Sequence, residues 1–191
     1  MEKDKLILEQ LLKEINNNGF LVTEFNELKC LKPKHKRIVS ILTKYLYAFK
    51  ADNYKDAIVE VLGVKGFTEA TEILLKAYYD IKWNGDKWPI GNALYNIQDN
   101  RFEAEYIEII ANKDNGISRQ MIIVLVGKLQ CENAIPVLIE LLGDEDVFGH
   151  AIMALGYYKK PYLINYIEPF LTHEKRWIRK EAEKSLIKIK S

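Results

Sequence analysis

The sequence predicts an all-α protein: an α-solenoid, or superhelix, of about five helical-hairpin repeats behind an N-terminal helix. Three observations carry this. Apolar residues recur every three to four positions along most of the 191 residues, the period of a helix with one buried face. No stretch alternates apolar and polar residues between turn signals, as a half-buried strand would. Five segments also end alike: "KDAIVEVLG", "KWPIGNALY", "RQMIIVLVG", "FGHAIMALG" and "RKEAEKSLI". Their last residues are Gly63, Tyr95, Gly127, Gly156 and Ile187, in steps of 32, 32, 29 and 31 residues. A regular period holding two helical segments marks stacked helix pairs, each burying its apolar face on the next.

The elements follow in order. "DKLILEQLLKEI" is an amphipathic N-terminal helix, and "GFLVTEFNELKCLKP" (19–33) reads as a connecting loop with a short helix. Residues 1–33 thus precede the array. The repeats span about 34–66, 67–99, 100–130, 131–159 and 160–191, as one continuous domain. Their first helices are "KRIVSILTKYLYAF", "ATEILLKAYYDI", "AEYIEIIA", "AIPVLIELL" and "LINYIEPFL". Pro33 and Pro161 fit first-turn positions, where a missing N–H costs nothing.

Composition narrows the class. Lys and Arg number 28 against 27 Asp and Glu, a formal net charge of +1, so no global field draws the chain to nucleic acid or membrane. Cys30 and Cys131 lie far apart without CxxC spacing, which fits a reduced setting better than a disulfide framework. The start "MEKDKLILEQ" holds no continuous apolar run and does not read as a signal peptide. No apolar run reaches the roughly 20 residues that span a bilayer. A cytoplasmic location is the expectation.

Counting back from each shared terminal residue orders the second helices. Position −5 holds Ile58, Ile90, Ile122, Ala151 and Ala182, and position −1 holds Leu62, Leu94, Val126, Leu155 and Leu186. Both belong to the core stripe. Position −8 holds Lys55, Lys87, Arg119, Phe148 and Arg179. Its four cations are read as a structural ladder bonded to carboxylates and carbonyls of neighbouring turns, rather than as a phosphate track. Positions −7, −3 and 0 point away from the core.

The units resemble the HEAT repeat, in particular its bilin-lyase-like variant. The resemblance rests on "IRKEAEKSLI" (178–187) and "VFGHAIMALG" (147–156), which match that family's second helix, and on "IPVLIELLGD" (135–144), which matches its first helix and closing Asp. It covers about residues 34–190. "WPIGNAL", "SRQMIIVLVG" and "WIRKEA" are similar to a group of small bacterial HEAT-repeat proteins. The 29-residue step departs from the pattern, with a shorter turn at "LLGDEDVFG". The resemblance implies a solenoid fold and leaves activity open, because such arrays host many functions.

The resemblance also implies that second helices line a concave face. Position −7 would then place Asp56, Trp88, Gln120, Gly149 and Lys180 on its floor, and position −3 Glu60, Asn92, Val124, Met153 and Lys184. The column runs from acidic through aromatic and apolar to basic. Trp88, Asn92, Gln120, Val124, His150, Met153, Lys180 and Lys184 are therefore read as a partner-binding surface. Gly149 and Gly156 would leave a shallow dip beside Met153, edged by a packed or hydrogen-bonded His150. Trp177 would pack between repeats.

Enzyme chemistry finds little footing. No P-loop, dinucleotide loop or GxSxG occurs, and the three histidines fall in different units. HEAT-like hydroxylases carry His-Glu pairs on second helices, but His150 has no Glu after it and His173–Glu174 lies in a turn. No metal or cofactor is expected. The leading reading is a non-enzymatic scaffold that binds a protein partner on its concave face, one concrete form being a toxin-neutralising immunity protein. The alternative is a HEAT-like alkylpurine glycosylase or other nucleic-acid-binding protein, with Trp83, Asp86, Trp88 and Arg119 at its site. The balanced charge and the acids Asp56 and Glu60 disfavour a phosphate track.

Overall fold

The computed structural model describes residues 2–80 and 87–191. Among them every regular element is an α or 3-10 helix. The protein is an all-α helical-repeat solenoid, divided into two compact units, Met1–Asp99 and Asn100–Ser191.

The first unit opens with α1 (Glu2–Asn17), whose Ile7, Leu11 and Ile15 are buried at four-residue spacing. That stripe packs on α2 (Val39–Leu46), and each such side chain contributes about 1.5–3 kcal/mol when fully buried. Asp4 is buried beside the stripe, and its carboxylate accepts the Lys50 N–H at 2.8 Å. The connecting segment is more ordered than a loop with one short helix. It holds two 3-10 stretches, Phe25–Cys30 and Pro33–Ile38. Glu27 fastens the first by accepting the backbone N–H groups of Thr23 and Glu24, which hold its carboxyl below the usual range. Then come α3 (Asp52–Leu62), α4 (Thr71–Tyr79) and α5 (Trp88–Ile97). Helix α5 packs on both α3 and α4.

The second unit repeats the plan with α6 (Glu103–Ala111), α7 (Gln120–Lys128), α8 (Ile135–Glu140), α9 (Phe148–Leu155), α10 (Ile164–Ile167) and α11 (Arg176–Lys190). Each first helix of a pair enters through a 3-10 stretch, as at Thr68–Ala70, Glu132–Ala134 and Pro161–Leu163. The i to i+3 bonding tightens the chain as it leaves the turn. Pro33 and Pro161 sit in such first turns.

Ten side chains at positions −5 and −1 of the second helices are buried in the core, from Ile58 to Leu186. Position 0 keeps the outward place that its spacing suggests at Ile187, which is exposed, but not at the glycines of the second unit. A Cβ on Gly127 would lie 2.6 Å from Ala154 Cα, and one on Gly156 would lie 2.7 Å from Ser185 Cβ. These glycines are where α7, α9 and α11 approach in succession, since only a residue without a side chain lets the backbones come that close.

Candidate functional site

In the first unit the spacing on α3 and α5 builds an open groove. Asp56 and Glu60 stand one turn apart on α3, and Trp88, Asn92 and Asn96 stand on successive turns of α5. Four-residue spacing puts each set on one helix face. With Pro89 they line a groove of about 520 Å³. The Asn92 and Asn96 amides are half-buried and make no hydrogen bond among the described residues. Each therefore has an acceptor and two donors to offer a ligand. Glu60 is approached from the connecting segment by Lys29, whose Nζ lies 3.1 Å from its carboxylate. Both partners are more than half exposed, so the pair is weak and exchangeable.

In the second unit the same repeat positions are largely occupied by packing. Val124, expected on the outward face, is only 2% exposed. The reason is that α7 is apolar around most of its circumference ("QMIIVLVGK") and is covered by α6 on one side and α9 on another. Nor do Gly149 and Gly156 leave a dip. A Cβ on Gly149 would fall 2.2 Å from Trp177 Cη2, and Gly156 is closed by Ser185. The indole of Trp177 thus lies across the position where a side chain is missing.

The remaining predicted residues of this unit are scattered in environment. Gln120 donates from Nε2 to the Asp146 carbonyl at 2.9 Å. Met153 is half-buried, and Lys180 is exposed. Lys184 pairs with Glu181 one turn earlier at 3.2 Å. His150 is half-buried. Burial pushes its imidazole below the ordinary range, against an opposing pull from Glu181.

The position −8 cations divide into different roles. Arg119 is fully buried. Its Nε donates to the Gly116 carbonyl at 2.9 Å, Nη1 to the Ile110 carbonyl at 3.1 Å, and Nη2 to Asp144 at 2.8 Å. Burial alone would raise the Asp144 carboxyl, but the Arg119 guanidinium and the Asp146 N–H outweigh it and hold the group below its usual range. Arg179 donates to the His173 and Glu174 carbonyls at 2.7 and 2.8 Å. Lys55 reaches Asp52 on its own helix at 3.1 Å, and the Lys87 ammonium lies 5.3 Å from the Tyr78 ring centre. Where the column turns apolar, Phe148 joins an aromatic cluster. Its ring centre lies 5.9 Å from Phe170, 5.2 Å from His173 and 6.4 Å from Trp177.

The glycosylase reading needs Arg119 and Trp88 together with Trp83 and Asp86. Arg119 is enclosed and its guanidinium is committed to three acceptors, the Gly116 and Ile110 carbonyls and Asp144. Trp83 and Asp86 lie outside the described residues. Both cysteines are free, and burial with the nearby Glu103 pushes the Cys131 thiol up to about 11, where it stays protonated at neutral pH. Among the described residues no group of three or more His, Cys, Asp or Glu could hold a metal ion, and no helix is long and apolar enough to cross a membrane.

Asn96 belongs to the groove although it follows the shared terminal residue Tyr95 and so falls outside the aligned repeat ending. Its signal was the step of four from Asn92. Asp56 and Glu60 were visible as the acidic end of the column, and α5 turns them into one side of a groove.

The chain matches no protein-family model and no curated protein. Solved structures do resemble it. A designed armadillo repeat protein superimposes with a TM-score of 0.58 at 14% identity, over 95% of this chain and 99% of its own. Another, solved in complex with the peptide (KR)4, gives 0.58 at 15% identity over 95% and 99%. An engineered protein gives 0.57 at 15% identity, where 96% of this chain spans 58% of the other. Identities this low speak for the fold, a helical-repeat solenoid, and for the fold alone.

Proposed function

We propose that the protein is a non-enzymatic interaction scaffold that holds a protein partner through an extended segment laid on the second helices of the first unit. The α3–α5 groove carries this reading. It presents Trp88, two uncommitted amides at Asn92 and Asn96, and the carboxylates of Asp56 and Glu60 along adjacent helix faces. Amides of this kind bond to the backbone of an extended peptide regardless of its sequence. The carboxylates favour Lys or Arg at the peptide's side chains, and the Trp88 ring offers a cation a face. Lys29 on Glu60 is an internal example of such a contact. The designed armadillo protein solved with (KR)4 is an example of a similar fold holding a cationic peptide.

The repeats themselves we read as HEAT repeats of the bilin-lyase-like kind. Gln120, His150, Met153, Lys180 and Lys184 of the second unit would add contacts to a larger partner, with Val124 supporting from beneath. An immunity protein that neutralises a toxin is one concrete form of this function, in a cytoplasmic setting.

Calorimetric titration with (KR)4 tests the groove. Saturable binding is expected, weakened about tenfold by Trp88→Ala and by the pair Asn92→Ala/Asn96→Ala. Binding that both variants leave unchanged would remove the groove from the function.

A further inference from the structure

The connecting segment ahead of the first repeat concentrates charge that the rest of the chain balances. Residues 29–37, "KCLKPKHKR", contain Lys29, Lys32, Lys34, Lys36 and Arg37 with His35 and no carboxylate, in a chain whose formal net charge is +1. Two of these cations are neutralised: Lys29 by Glu60 at 3.1 Å and Lys36 by Glu69 at 3.9 Å. Lys34 and Arg37 are exposed and have no ion-pair partner among the described residues.

Both line a pocket of about 330 Å³, together with His35, Asn18, Gly19 and Phe20. No acidic residue lines it. Its walls are set by local backbone rules. Helix α1 ends with Gly19 at φ +83°, its N–H bonded to the Asn16 carbonyl at 3.1 Å, and the Phe20 N–H bonded to the Ile15 carbonyl at 3.4 Å. That left-handed stop turns Phe20 back toward the next segment. The Phe20 ring then meets the His35 ring with centres 4.7 Å apart. On the other side the His35 Nδ1 accepts the Lys32 N–H at 3.0 Å. With Nδ1 engaged as an acceptor, the ring hydrogen is on Nε2, which is left to donate.

We propose that this pocket is a binding site for a phosphate monoester. The Arg37 guanidinium supplies a planar fork that matches two phosphate oxygens, Lys34 supplies a compact charge, and His35 supplies a positioned N–H donor. The volume admits a phosphoryl group together with part of the molecule that carries it. A nucleic-acid backbone requires an extended row of cations, and here the row is short and faced by the carboxylates of Glu60 and Glu69, which repel a continuous phosphate track. The ligand is therefore a single phosphoryl group, carried by a side chain of a partner protein or by a small molecule. The site involves none of the groove residues Trp88, Asn92 or Asn96, so it stands or falls apart from the scaffold reading.

Backbone and imidazole NMR of the full chain reads the site directly. Inorganic phosphate and a phosphoserine peptide are each titrated at matched ionic strength, beside the same peptide unphosphorylated. Saturable shifts centred on Gly19, Lys34, His35 and Arg37 are expected, with the peptide tighter if the source is a phosphoprotein and phosphate comparable if it is a small molecule. The pair Lys34→Gln/Arg37→Gln is expected to lower affinity about tenfold or more, and Arg37→Lys, which keeps the charge but loses the fork, several-fold. Removing the same charge from the second unit at exposed lysines outside the partner surface, with Lys175→Gln/Lys190→Gln, leaves binding unchanged. Equal loss from that control, equal binding of the unphosphorylated peptide, tighter binding of duplex DNA than of either phosphate probe, or shifts that fail to saturate would each overturn the proposal.

Discussion

Asn92 and Val124 occupy the same place in successive repeats and meet opposite surroundings. On α5 the residue borders a groove, with its amide uncommitted. On α7 it is buried by the neighbouring helices. The face of the first unit keeps a groove between α3 and α5, lined by Asp56, Glu60, Trp88 and Asn92. In the second unit Gly127, Gly149 and Gly156 draw the next helix in until Ala154, Trp177 and Ser185 fill the space. Equivalent repeat positions are thus not equivalent surfaces. The volume of the residues around a position decides whether it is floor or core.

The largest test of this contrast is Arg119→Ala. It leaves Asp144 and two carbonyls without their donor in a buried setting, and a loss of about 3–5 kcal/mol is expected in urea unfolding followed by circular dichroism. A loss under about 1 kcal/mol would mean that the second unit is not held by this pair.

Next comes the exchange of the two equivalent residues. Val124→Asn buries an amide without partners and is expected to cost about 2–3 kcal/mol. Asn92→Val, at the groove, should stay within about 0.5 kcal/mol while weakening (KR)4 binding. Equal costs for the two would erase the distinction between open and filled faces.

Gly149→Ala probes the filling itself. The new methyl meets the Trp177 indole and Ile178, and overpacking of this kind costs about 1–3 kcal/mol. Trp177 is 52% exposed, so the ring has room to swing outward, and its fluorescence should shift to the red. In a Trp177→Ala background the cost of Gly149→Ala should shrink, which a double-mutant cycle measures.

The smallest effect is the pH response of His150. Its folded-state pKa lies below the unfolded value near 6.5 because burial disfavours the cation. The unfolded chain therefore binds the proton first, and stability falls as pH drops below about 6.5 toward the folded value. His150→Gln should flatten that part of the profile, measured as the urea midpoint between pH 7 and pH 5. An unchanged profile would place His150 in water rather than against Glu181 and the packed helices.

Much of the fold was legible in residue spacing. The five repeat endings located the second helices, and positions −5 and −1 named core residues because a helix of fixed period repeats its buried face. The 3-10 stretches of residues 25–38 were less legible. They depend on Glu27 folding back onto local N–H groups rather than on an apolar period. Asn96 was hidden by the choice of the repeat ending as a frame.

The candidate site was half legible. Trp88 and Asn92 stood out as unusual residues at outward positions, and the acids of α3 were apparent in the same column. Val124 and the bare dip at Gly149 could not be judged from one helix at a time, since each depends on what a neighbouring helix delivers. By itself the sequence determined that the chain is helical, how it repeats and which stripe of each second helix is buried, because these follow from the period of a single helix. Only the tertiary structure decided which outward positions remain open, that Arg119 is enclosed, and that Lys34, His35 and Arg37 share a pocket with the end of α1. Those outcomes depend on the distance between packed backbones, which is set by side-chain volumes on several elements at once.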